Sequence, residues 1–140
     1  MDNDTAAVIG LLHTYADALD RRDWAALDDV FAADVRADYA GSEIRTGAGD
    51  LVAMIRGYLD NCGPTQHLMG NERARISGDH ATATVKMRVH HVAANAPDLT
   101  FEVFGWYHAE AQRTADGWRI TAWRQEATHH VGTFEVFART

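Results

Sequence analysis

The hydrophobic period of this chain changes near residue 64, from steps of three and four to strict alternation. That switch constrains the fold more than any other feature. Before it, Val8, Leu11, Leu12, Tyr15, Ala16 and Leu19 recur along one side of a predicted helix over 5–20. Asn3 or Asp4 can cap its start. Asp23 reads as a second N-cap, followed by an apolar stripe of Trp24, Leu27, Val30 and Phe31 that runs to about 33. A short strand occupies 35–41 (VRADYAG). A third helix is predicted over 45–64, with Leu51, Met54, Ile55, Tyr58 and Leu59 inward and Gly63-Pro64 as its stop.

After the switch, 65–76, 81–92, 99–113 and 117–130 all read as strands. Ser77-Gly78-Asp79 and Ala115-Asp116-Gly117 are hairpin turns, and Asn95 to Asp98 forms a loop. Helices first and long antiparallel strands after is an α+β pattern. Strands this long must twist and curl. The expected architecture is a cone-shaped, curved mixed or antiparallel sheet with three N-terminal helices enclosing a pocket. The 140 residues suit one domain, 1–140, with 46% hydrophobic residues to fill a core.

Charge and composition narrow the function classes. Twenty acidic residues against 13 Lys and Arg give a net charge of −7, which disfavours a nucleic-acid partner. No apolar run approaches membrane-spanning length, and the MDNDTAAV start lacks a signal peptide's basic and apolar regions. Cys62 is the lone cysteine, so no internal disulfide forms and a cytoplasmic location is expected. The Asn3-Asp4-Thr5 sequon is then read as chance.

Two adjacent histidines in KMRVHHV (86–92) pose the functional question. In a strand they face opposite ways. His91 shares a face with Val89, Met87, Val85 and Ala83; His90 shares one with Arg88, Lys86, Thr84 and Thr82. They cannot chelate one metal together. No H-x-H or H-E-x-x-H occurs, so neither a metal nor a cofactor is expected. By the same alternation Tyr107 points in and His108 out. His80 falls in a turn, His13 on a helix flank, and His129 and His130 in a tail.

His67 and His91 remain. Each is either a core histidine satisfied by a local partner or a general acid/base. The acid/base reading needs a carboxylate. Asp20 lies near the edge of the first helix's buried stripe, in the run DRRD (20–23), where a solvent-facing role is the alternative. Tyr39 alternates with Val35 and Ala37, so it points to the core side. It either packs there with its hydroxyl at the rim or reaches a substrate carbonyl.

Four segments, YADALDRRDWAALDDVFAADVRADY (15–39), PTQHLMG (64–70), RVHH (88–91) and DGWRI (116–120), together resemble the SnoaL-like branch of the nuclear-transport-factor-2-like (NTF2-like) superfamily. Among its enzymes the pattern is nearest to the scytalone dehydratase type and covers roughly residues 5–125. The resemblance implies that Asp20 is the helix-end carboxylate inside the cone and that His67 is the main proton carrier. It implies that His91 is the second histidine and Tyr39 a tyrosine holding water against the substrate carbonyl. Related dehydrochlorinases and bile-acid dehydratases also pair a helix-end Asp with a His on this strand. The chain departs from the pattern at Leu19, where a second water-holding tyrosine is expected, and at Gly105 and Tyr107, where a serine and an asparagine are expected. Tyr107 could replace a lost hydroxyl, and scytalone itself is not the expected substrate. Arg113 falls near an arginine of the dehydrochlorinases, against a reading as a solvated rim charge.

The implied function is a cofactor-free lyase, a dehydratase of a small cyclic or polyketide-like hydroxy-carbonyl compound. Its catalytic set is Asp20, His67, His91 and Tyr39, with Tyr107, Met54, Met69, Val89 and Trp123 lining the substrate pocket. An isomerase or cyclase using the same dyad is the alternative. A non-catalytic ligand-binding or interaction module follows if Asp20 and His67 lie apart or side chains fill the cone. Phe104 and Trp106 alternate with Glu102, His108 and Glu110 on the outer face, which suggests a homo-oligomer, dimer before trimer, packed through the sheets.

Overall fold

The computed structural model describes residues 2–138. Helix α1 (Asn3–Arg21) leads into a 3-10 helix (Trp24–Asp29), strand β1 (Phe31–Tyr39), strand β2 (Glu43–Thr46) and helix α2 (Ala48–Leu59). Four long strands follow: β3 (Cys62–Ser77), β4 (His80–Ala93), β5 (Thr100–Thr114) and β6 (Gly117–Gly132). A 3-10 turn (Phe134–Phe137) closes the described chain. The six strands form one sheet in the order β2-β1-β6-β5-β4-β3. Only β1 and β6 run parallel, so the sheet is mixed and the architecture is α+β as expected. No helix among the described residues is long and apolar enough to cross a membrane.

Burial alternates along β4 from Ala81 to Ala93, which is the pattern of a sheet with one face on the core. The helices lie across the concave face. Their stripes meet the sheet in a core that includes Leu12, Tyr15, Leu27, Val35, Leu51, Val85, Val89, Ile120 and Trp123. The sheet bends at irregularities between β5 and β6, one of them at Phe104/Gly105. A Cβ on Gly105 would collide with the Glu126 backbone carbonyl, so only glycine permits that approach. Gly105→Ala is expected to destabilise the fold by about 1–3 kcal/mol. A denaturation midpoint equal to the wild type would show that the bulge can shift to make room.

Several expected boundaries move, each for a local reason. The α1 cap is Asp2, not Asn3 or Asp4: its carboxylate accepts the Thr5 backbone N–H at 2.7 Å. The second helix stops at Asp29 instead of 33. Phe31 is drawn into β1 beside Ile120, where its ring packs edge-on against Tyr15 and Trp123. The single helix expected over 45–64 divides into β2, α2 and the start of β3. Gly47, at φ 95, turns the chain between β2 and α2. Gly63 lies inside β3 at a register shift, where a Cβ would sit 2.7 Å from the Val92 carbonyl. Pro64 falls where the β3–β4 register shifts, so its missing N–H costs no ladder bond.

Arg113 serves the far end of α1. It forks onto Asp4 at 2.8 and 2.9 Å, reaches Asp79 at 3.1 Å and lies over the Trp118 ring. Those hydrogen bonds hold the Asp4 carboxyl down at about 2, and the Trp118 indole N–H helps. Arg113 therefore pins the helix start and is no pocket residue. On the convex face, no helix among the described elements covers Phe104 or Trp106. Arg88 and Lys86 cap these rings, and His129 stacks on Phe104.

Candidate active site

Helix α1 runs along β3. Midway, the His13 ring meets Glu72 at 2.7 Å; at the helix end, Asp20 meets His67. The Asp20 Oδ1 lies 2.7 Å from His67 Nδ1 and accepts the Thr65 hydroxyl at 2.9 Å. Its Oδ2 accepts the His67 backbone N–H at 2.7 Å. Partial burial pushes the Asp20 carboxyl up. The ring and backbone of His67, with Thr65, outweigh that and hold it below the ordinary range. An ionised carboxylate with these partners requires a proton on Nδ1. In the neutral form of the ring this leaves the lone pair on Nε2, and the ring lines the cavity. Asp20 therefore points at His67 and not at bulk water.

The cavity holds about 220 Å³. Tyr39, Tyr107, Met54, Val89, His67 and His91 line it as expected positions. Met69 and Trp123 do not. Met69 pairs with Met87, one inward-facing step down the ladder from His67, and that stretch of β3 lies under α1 between the Asp20 and His13 contacts. Trp123 is 1% exposed and forms a floor behind the tyrosines, stacked on Tyr107 with centroids 4.5 Å apart.

A tyrosine absent from the expected set completes the deep end. Tyr15 places its hydroxyl 2.5 Å from that of Tyr39 and 3.5 Å from that of Tyr107. Its ring stands edge-on to His67. The Trp123 indole donates to the Tyr39 oxygen at 2.9 Å. Burial pushes all three phenols up, so they stay protonated donors. Tyr15 donates to Tyr107 over the longer contact, so Tyr39 donates to Tyr15, and two of the three phenol protons are used. The third, on Tyr107, is the one the cluster can offer a ligand oxygen. Periodicity placed Tyr15 on the buried stripe. It also lies one turn before Leu19 on the same face, which was the available signal that a hydroxyl sits near that position.

His91 is buried, and its Nδ1 lies 2.9 Å from the Phe101 carbonyl. Burial lowers its pKa to about 4, and the positive charge of Arg22 adds to that. The neutral ring must donate Nδ1–H to the carbonyl, which makes Nε2 an acceptor. It cannot donate to a developing enolate oxygen; it can accept from a ligand hydroxyl. His90 lies on the other face near Glu102.

Three mouth residues were also missed. His130 belongs to β6, not to a tail, and with Phe134 and Phe137 it borders the opening. Phe137 packs edge-on to His91, and Phe134 stacks on Phe101. No Lys or Arg lines the cavity among the described residues. Glu43, its one carboxylate, is taken up by Arg45 and Tyr58. No group of three His, Cys, Asp or Glu among the described residues could hold a metal.

Residues 3–124 match the model of the SnoaL-like domain. The chain belongs to the SnoaL-like family. An uncharacterized protein of Mycobacterium tuberculosis (strain H37Rv) is 31% identical over 119 residues, covering 84% of this SnoaL-like chain and 81% of the relative. The crystal structure of Kfla4162 from Kribbella flavida superposes with a TM-score of 0.85 at 27% identity over 95% of each chain. A candidate scytalone dehydratase from Novosphingobium aromaticivorans superposes with a TM-score of 0.83 at 17% identity, over 91% of this chain and 86% of that one. This last likeness is of fold alone.

Proposed function

We propose that the protein is a cofactor-free acid–base lyase, a dehydratase acting on a small, uncharged cyclic hydroxy-carbonyl compound. One observation carries this reading: His67 Nδ1 sits 2.7 Å from the Asp20 carboxylate at the wall of an open cavity. In the proposed reaction, the Nε2 lone pair of His67 removes a proton from the carbon next to the substrate carbonyl. Asp20 stabilises the resulting imidazolium. The remaining phenol proton of the tyrosine cluster, on Tyr107, binds the enolate oxygen as charge develops there. The enolate then re-forms the carbonyl and expels the β-hydroxyl, which takes the proton from His67 and leaves as water. A C–H and a C–O bond break and a C=C bond forms, with no net redox change. Proton transfer of this type contributes about 10²–10⁴-fold, and one enolate donor about 3 kcal/mol.

The lining supports the substrate class. A cavity without Lys or Arg offers nothing to a carboxylate or phosphate. The aromatic mouth suits a flat ring, and His91 asks for a ligand hydroxyl. Incubation with a panel of neutral mono- and bicyclic hydroxy-ketones, read by mass spectrometry, tests the reading. A product lighter by one water is expected. Conversion at unchanged mass would replace the dehydratase with an isomerase or cyclase. Ligands that bind across the whole panel without conversion would make the pocket a binding module.

A further inference from the structure

The dyad is held by a residue that touches no substrate. Arg22 follows α1 in the left-handed region, φ 56 and ψ 33. Glycine is the usual residue at such a helix end, because a side chain there costs about 1–2 kcal/mol. The strained turn folds the Arg22 side chain back under the helix. There its guanidinium donates to the Leu19 carbonyl at 2.8 Å, the Gly63 carbonyl at 2.7 Å and the Thr65 hydroxyl oxygen at 2.8 Å. These partners come from the end of α1 and the start of β3, the two segments that supply Asp20 and His67.

Proton accounting gives the contact with Thr65 its meaning. A guanidinium only donates. The Thr65 oxygen therefore accepts from Arg22, and its own hydrogen is directed to Asp20 Oδ1 at 2.9 Å. The carboxylate only accepts, so contact with it already requires Nδ1–H of His67; the fixed Thr65 hydrogen holds that carboxylate in place against the ring. We propose that Arg22, acting through Thr65, is the positioning residue that keeps the Asp20 carboxylate against His67 and so keeps the ring in its Nδ1–H form. The catalytic part of this assignment rests on the proposed acid–base reaction; the tautomer part does not.

Arg22→Gly separates positioning from helix capping. Glycine relieves the left-handed strain, which offsets part of the cost of the lost hydrogen bonds, so the variant is expected to fold with a modestly lowered melting temperature. If Arg22 is only a cap, nothing else changes. If it is a positioning residue, nitrogen NMR of His67 shifts from a single Nδ1–H form to a mixture of both tautomers. With a substrate found by the mass screen, kcat falls on the order of tenfold or more while KM moves little. Thr65→Val should give the same spectral change. Arg22→Lys keeps the charge but not the fork, and should restore the wild-type spectrum only in part. A single, unchanged tautomer in folded Arg22→Gly would overturn the proposal. A mixed tautomer without any turnover in the wild type would keep the positioning and remove the enzyme.

Discussion

Asp20→Asn is expected to abolish most turnover while leaving a folded protein. The reason lies in which atoms donate. Two carboxylate oxygens now accept from the His67 ring, the His67 backbone N–H and Thr65. An amide offers one oxygen and one N–H₂ group. If its oxygen serves the backbone N–H, its N–H₂ faces the His67 ring and can pair only with an unprotonated Nδ1. The ring then carries its proton on Nε2, and the cavity loses its base. The same exchange in a catalytic triad, with the same tautomer inversion, costs about 10⁴ in kcat. A loss of about 10²–10⁴ is expected here, with about 1–3 kcal/mol of stability for the donor left without an acceptor. His67→Ala should lose as much turnover, and the double variant no more than either single one. Turnover, melting temperature and the His67 tautomer together check this. Wild-type rates in a folded Asp20→Asn would remove the dyad from the mechanism.

Periodicity carried the architecture because burial is one-sided. The alternation along β4 separated His90 from His91, and that along β5 separated Tyr107 from His108, since each strand has one face on the core. Where a segment is too short or too mixed to show a period, the reading slipped. The end of β2 was absorbed into a helix, and Gly63-Pro64, a common helix stop, turned out to lie within β3 at a shift of its register. The far end of β6 is exposed on both sides, so His130 gave no alternation to read. In the site, the pairing of Asp20 with His67 came from family resemblance, because a helix-edge carboxylate has no sequence signature of its own. Tyr15 was visible as apolar surface and hidden as a hydroxyl. Arg22 was hidden altogether, because a left-handed arginine leaves no trace in a hydrophobic pattern. Residues that act through geometry alone are the ones a linear reading loses.

His91 should make stability depend on pH in a defined window. Its ordinary pKa is 6.5, and in the folded protein burial holds it at about 4. Between those values the unfolded chain binds a proton that the folded chain refuses. Stability therefore falls as pH drops from about 6.5 to about 4 and levels once the folded ring also protonates. The gap corresponds to roughly 3 kcal/mol, at about 1.4 kcal/mol per pKa unit. The ring is only 6% exposed, so solvent screening takes little from that figure. Asp20 acts in a separate range. Its lowered pKa contributes stability that is present above about 4 and lost only as pH falls through its folded value. His91→Gln removes the titrating group. Its side-chain amide can still donate to the Phe101 carbonyl and keep an acceptor toward the cavity. Urea denaturation at several pH values should give a wild-type curve that loses about 3 kcal/mol more than the variant's between pH 6.5 and 4. Parallel curves would mean that His91 is already charged in the fold. It would then be a donor to the ligand, and the requirement for a substrate hydroxyl at that position would fall with it.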